Sequence, residues 1–172
     1  MRLIRFFTIN IIWIGLITLI TGCATNMGSN EIANDITKYA NEGLLNIEEL
    51  ERKPLEAYSG VIGTHYKNEQ EVYDTLKNKV IPIYERFVNE LRDIHPSEEE
   101  VKMVHGQYIR AAEKILNGFK VKMLGIEINN KKMILGANKT IEQGNVEIQQ
   151  WRDDFTALCT KYGVGQEKKR EE

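Results

Sequence analysis

The chain predicts an all-α protein, an elongated antiparallel bundle of about four long helices. Three observations predict it. Apolar residues recur at steps of three and four through most of the 172 residues, the spacing of one helix face. Only three prolines are present, and the composition is rich in residues that favour helices. The breaks between periodic stretches are short, so neighbouring helices are expected to run antiparallel.

The first stretch carries Ile32, Ile36, Tyr39, Gly43, Ile47 and Leu50 on one face, with Ser29 or Asn30 as its N-cap. Pro54 removes a backbone donor, so a bend or restart is expected there, before Leu55, Tyr58 and Val61. Gly60 and Gly63 mark its end, and Thr64 to Lys67 form the connecting turn. Asn68, with Glu71 three residues on, reads as the capping pair of a second helix. Its stripe is Val72, Leu76, Val80, Ile83, Phe87, Leu91 and Ile94. Pro82 lies inside that stripe and predicts a second bend near residues 78–82. The pair His95-Pro96 closes the helix, because a residue before proline is pushed out of helical geometry.

Ser97 and Glu100 have the spacing of a capping box for a third helix. Its buried positions are Val101, Val104, Tyr108, Ala112, Ile115, Phe119 and Ile126, with Gly118 and Gly125 expected to weaken it locally. The fourth helix has the cleanest repeat. Ile134, Ala137, Ile141, Gly144, Ile148, Trp151, Phe155, Leu158 and Tyr162 alternate by three and four, and Gly163 supplies the stop.

A different pattern precedes the bundle. Arg2 and Arg5 stand ahead of an apolar run from Phe6 to Ile20, followed by the small residues Thr21 and Gly22, the order of an export signal. A spanning helix needs roughly 20 apolar residues, and this run is short and holds Asn10 and two threonines. The segment Leu19-Ile20-Thr21-Gly22-Cys23 resembles the lipobox of bacterial lipoproteins. The resemblance implies a diacylglyceryl group on the Cys23 thiol, cleavage before Cys23, and fatty acyl chains such as palmitate holding the protein on the outer side of the cell membrane. Two chains anchor stably where one binds only marginally. The expected organisation is a removed signal at 1–22, a lipidated tether at 23–29, the bundle at 30–163 and a charged, disordered tail at 164–172.

Removing residues 1–22 leaves 21 basic against 25 acidic residues, a balance that argues against a nucleic-acid partner. With Cys23 acylated, Cys159 has no partner for an intramolecular disulfide and is expected to be partly buried. The tail cations Lys168, Lys169 and Arg170 return to the anchored end in an even-numbered antiparallel bundle, where they are candidates for a membrane-surface contact.

Catalytic signatures do not emerge. A di-metal bundle site needs an acid three residues before histidine, but Ile62, Arg92 and Lys102 precede His65, His95 and His105. The H-E-x-x-H, G-x-S-x-G, phosphate-loop and C-x-x-C patterns are missing too. Glu98 with His105 is the one helix-face pair able to bind a metal or act as a base, and a hydrogen-bonded core histidine is the preferred reading. No cofactor, metal ligand or catalytic residue is therefore assigned. Tyr66, Tyr73 and His65, in or beside the first turn, are the candidates for contact with a partner. The expected function is a membrane-anchored binding or scaffold module at the bacterial cell envelope, with a protein partner and no enzymatic activity. The alternatives are a small-ligand receptor and, less favoured, an envelope hydrolase or metal-dependent enzyme.

Overall fold

The structure, a computed structural model, describes residues 27–165. The expected signal, Cys23 and the cations Lys168, Lys169 and Arg170 lie outside the described residues.

Four long helices pack together, and no strand occurs among the described residues. Helix α1 begins as Met27–Lys38, passes through a π-helical stretch Tyr39–Leu44 and continues as Leu45–Ser59. Helix α2 has the same construction: Glu69–Thr75, a π stretch Leu76–Val80, then Ile81–Arg92. Helices α3, Glu99–Glu127, and α4, Lys131–Lys161, are uninterrupted. At 29 and 31 residues, they extend about 45 Å at 1.5 Å per residue.

Pro54 and Pro82 sit differently in their helices. Pro54 does not restart α1; it is buried inside the continuous segment Leu45–Ser59. The irregularity lies upstream, where the Leu45 amide reaches back five residues to the Ala40 carbonyl. At Pro82 the expectation was closer. The π stretch Leu76–Val80 directly precedes it, with the Ile81 amide bonding the Leu76 carbonyl, so the proline falls in the first turn of a fresh α segment. A missing donor is tolerated there.

Asn68 caps α2 as expected, its Oδ1 accepting from the Glu71 amide at 2.9 Å. The Ser97–Glu100 capping box does not form. Instead the carboxylate of Asp35, on α1, accepts the Ser97 amide at 2.9 and 3.1 Å and the Glu98 amide at 2.8 Å. Glu100 is drawn to the other end of the chain, bonding Lys161 at 2.7 Å and the Tyr162 hydroxyl at 2.6 Å. A carboxylate from a neighbouring helix thus takes the amide of the N-cap residue Glu98 and that of Ser97 before it, and its charge suits the positive end of the helix dipole.

Asn129 adopts φ 51°, and the Asn130 amide reaches the Gly125 carbonyl at 2.7 Å, closing α3 in a Schellman motif. Asn130 then caps α4 through the Met133 amide. Gly163 and Val164 end α4 in the same way.

The core centres on Tyr84, Phe87, Phe119, Leu76, Leu91 and Ile115, all essentially without exposure. Helix α4 packs along the length of α3 and meets the other helices sparsely. Gly118 and Gly144 make that close approach possible. A Cβ on Gly118 would stand 2.5 Å from Cγ1 of Ile141, and one on Gly144 2.5 Å from Cγ1 of Ile115. The glycines of α3 that were expected to weaken the helix are therefore the seats of α4 isoleucines.

Candidate functional site

Two groups of polar side chains sit inside the bundle. The first joins α1, α3 and α4. Tyr39, the first residue of the π stretch, is buried, and its hydroxyl lies 3.2 Å from Nδ1 of His105. The two rings meet edge-on at 5.3 Å, and Phe155 closes the other side of Tyr39 at 5.5 Å. The Trp151 indole approaches the Tyr39 hydroxyl, yet neither its Nε1 nor Nε2 of His105 has an aligned partner among the described residues. Burial lowers the His105 pKa below 6.5; the nearby Ile94 carbonyl opposes that shift and the charge of His95 adds to it. A neutral imidazole follows. His105 therefore faces Tyr39 rather than Glu98, and the Glu98–His105 reading is removed. Among the described residues no group of three or more His, Cys, Asp or Glu could hold a metal ion.

The second group joins α1, α2 and α3. Glu51 turns its carboxyl inward to the Tyr108 hydroxyl; burial pushes its pKa up, while Tyr108 and the charge of Arg152 pull it down. Tyr84 lies close enough to feel the Glu51 charge, and its fully buried hydroxyl has no hydrogen-bond partner among the described residues. On the same side of α3, Lys122 is only 8% exposed. Its Nζ donates to the Tyr58 hydroxyl at 2.8 Å and stands 5.0 Å from that ring's centroid. Desolvation pulls its pKa from 10.5 down to about 8. These groups join helices through polar contacts across the core.

The surface candidates separate. His65 lies in the 3-10 turn Gly63–His65 and is exposed, as is Tyr66 at 52%. Tyr73 is half-buried and committed: its hydroxyl donates to Glu127 at 3.2 Å and accepts from Lys77 at 3.3 Å, tying the start of α2 to the end of α3. His65 and Tyr66 thus share one loop, and Tyr73 stands apart from them as a structural tie. Cys159 is half-buried with its thiol pKa raised by that burial, as the sequence led one to expect of a small apolar role.

Buried Lys122 and half-buried Glu51 were missed by sequence reasoning. Lys122 carries a readable signal, since it falls three residues after Phe119 and four before Ile126 on the core stripe. Glu51 carries none, because it borders Leu50 in a run of acids that reads as solvated surface. Comparison with known protein families, characterised proteins and solved structures gives no match to this chain.

Proposed function

We propose that this chain is an extracytoplasmic lipoprotein, held to the bacterial cell membrane by acyl chains on Cys23, that acts as a binding or scaffold module at the cell envelope. The observation that carries the reading is the lipobox Leu19–Cys23 with a helix already under way at Met27. Three residues separate the acylated cysteine from the bundle, a reach of about 10 Å. The domain is thereby kept against the bilayer instead of on a stalk.

The antiparallel order supports a division of labour between the two ends. Met27, the Asp35 ties to Ser97 and Glu98, and the Lys161–Glu100 pair gather at the end near the anchor. The loop bearing His65 and Tyr66 lies at the opposite end and is the contact site for a protein partner. It acts by binding, since the interior polar groups are spent on joining helices.

Fractionation of cells expressing the Cys23→Ala chain tests the anchor: the protein is expected to leave the membrane fraction or to keep its signal uncut. Normal processing with full membrane retention would sink the reading. A photo-crosslinking residue at Tyr66 tests the contact site, with a discrete crosslinked protein expected there and none from a probe at exposed Glu42.

A further inference from the structure

The α3–α4 hairpin, in its half remote from Met27, exposes aliphatic side chains close in sequence to lysines. Leu124, Ile128 and Leu135 are 43%, 56% and 69% exposed, and Leu135 is the most exposed large apolar residue among those described. On α4, Lys131, Lys132 and Lys139 flank Leu135 in sequence, all exposed, and none of the three forms an ion pair among the described residues; Glu127, beside Ile128 at the end of α3, is the nearest acid before the turn. Lys132, Leu135, Lys139 and Glu142 follow one another at steps of three and four on the exposed face of α4. Of the five lysines in residues 117–141, Lys122 is buried and Lys120 is paired with Glu85, which leaves Lys131, Lys132 and Lys139 for the surface.

We propose that this half of the hairpin is a second membrane contact, independent of acylation, whose occupant is an anionic phospholipid bilayer. The residue types favour lipid over protein. Protein interfaces concentrate their energy in Trp, Tyr and Arg and are depleted in Lys. Aliphatic residues flanked by lysine are the makeup of a helix face seated at the headgroup boundary. The lysine stems lie along apolar surface while their ammonium ends meet phosphates. Glu142 is the single acid in the stripe, and it sits on the side away from the hairpin turn. The surface runs along the side of the hairpin, so it engages the bilayer with the bundle reclining on it.

The test uses residues 23–172 with Cys23→Ser, so that no acyl chain contributes and failure of the anchor reading is scored separately. The chain is expected to co-sediment with vesicles of equal phosphatidylglycerol and phosphatidylcholine, to stay in solution with phosphatidylcholine alone, and to be released by salt. Each basic residue at such a surface multiplies partitioning roughly fivefold, so K131E/K132E/K139E is expected to bind at least tenfold more weakly. Leu135→Ser is expected to lose several-fold while keeping its helical circular dichroism. The same charge change made at Lys38, Lys53 and Lys102 is expected to retain binding. The proposal is overturned by equal sedimentation with neutral vesicles, by equal losses in the two triple variants, or by a truncation after Gly165 that abolishes binding. Binding to polyglutamate without binding to anionic vesicles would also overturn it, assigning the surface to an acidic protein.

Discussion

Replacing Lys122 by methionine removes an ammonium group from the interior at nearly constant volume. In the folded chain its pKa is pulled from 10.5 to about 8 by desolvation, and the side chain is only 8% exposed, so little screening reduces the effect. At 1.36 kcal/mol per unit, holding the charged form in the core costs about 3 kcal/mol. The sign follows from linkage. Between the two pKa values the unfolded chain binds the proton that the folded chain has released, so stability rises with pH across that window. Integration gives a gain of about 2 kcal/mol between about pH 7 and pH 9.5 in the parent protein. Methionine abolishes that gain. It also leaves the Tyr58 hydroxyl without its donor, a loss of about 1 kcal/mol, so the variant is expected to be more stable by about 1–2 kcal/mol at neutral pH and to lose that advantage near pH 9.5. Cys159 titrates in the same window with the opposite sign, since burial raises its pKa, but it does so equally in both proteins. The buried tyrosines begin to oppose folding only above about pH 10, where the unfolded chain's phenols ionise. Urea unfolding followed by far-UV circular dichroism at three pH values reads the difference. Parallel stability profiles for parent and variant would refute the argument, because they would mean that the Lys122 ammonium remains hydrated.

Three further outcomes are expected. Gly144→Ala should destabilise by about 1–3 kcal/mol through overpacking against Ile115, overriding a helix-propensity gain of about 1 kcal/mol. Gly136→Ala, in the same helix with nothing within 4 Å of the added Cβ, should stabilise by up to about 1 kcal/mol; thermal unfolding of the pair separates close packing from propensity. Asp35→Ala should cost about 2–3 kcal/mol by stripping the amides of Ser97 and Glu98 of their acceptor, whereas Ser97→Ala should stay within about 0.5 kcal/mol. A large Ser97 effect in urea titrations would restore the local capping box. Acidification should weaken the fold as pH falls through 6.5, because the unfolded chain takes up a proton that buried His105 resists; His105→Asn should flatten that part of the profile.

The periodic stripes were enough to place four helices, because burial of one face per helix dominates the choice of structure and writes itself at steps of three and four. Asn68 and Gly163 were legible for a related reason: caps act within a few residues of themselves. What escaped was decided between helices. Nothing local to Ser97 announces that a carboxylate 62 residues upstream takes its amide. Gly118 and Gly125 look like weak points until the isoleucines of α4 arrive to fill the space above them. Of the candidate contact residues, His65 and Tyr66 are exposed as a loop position suggests, while Tyr73 is occupied by Glu127 and Lys77. The combination of Lys131, Lys132 and Lys139 with exposed Leu135 was invisible because two charged neighbours beside a core isoleucine read as an ordinary solvated helix start.

The π stretches in α1 and α2 each hold one residue more than an α-helix of the same length would. Such a stretch accommodates one extra residue, and removing it is informative. Deleting one residue between Tyr39 and Leu44 would let α1 run on as a plain α-helix, but would turn everything before it by about 100°. Asp35 would swing away from the start of α3 and Ile36 out of the core, while Ile47 and Tyr58 kept their places. The segment before Tyr39 is therefore phased independently of the rest of its own helix, and the extra residue is what lets one continuous rod address two sets of neighbours.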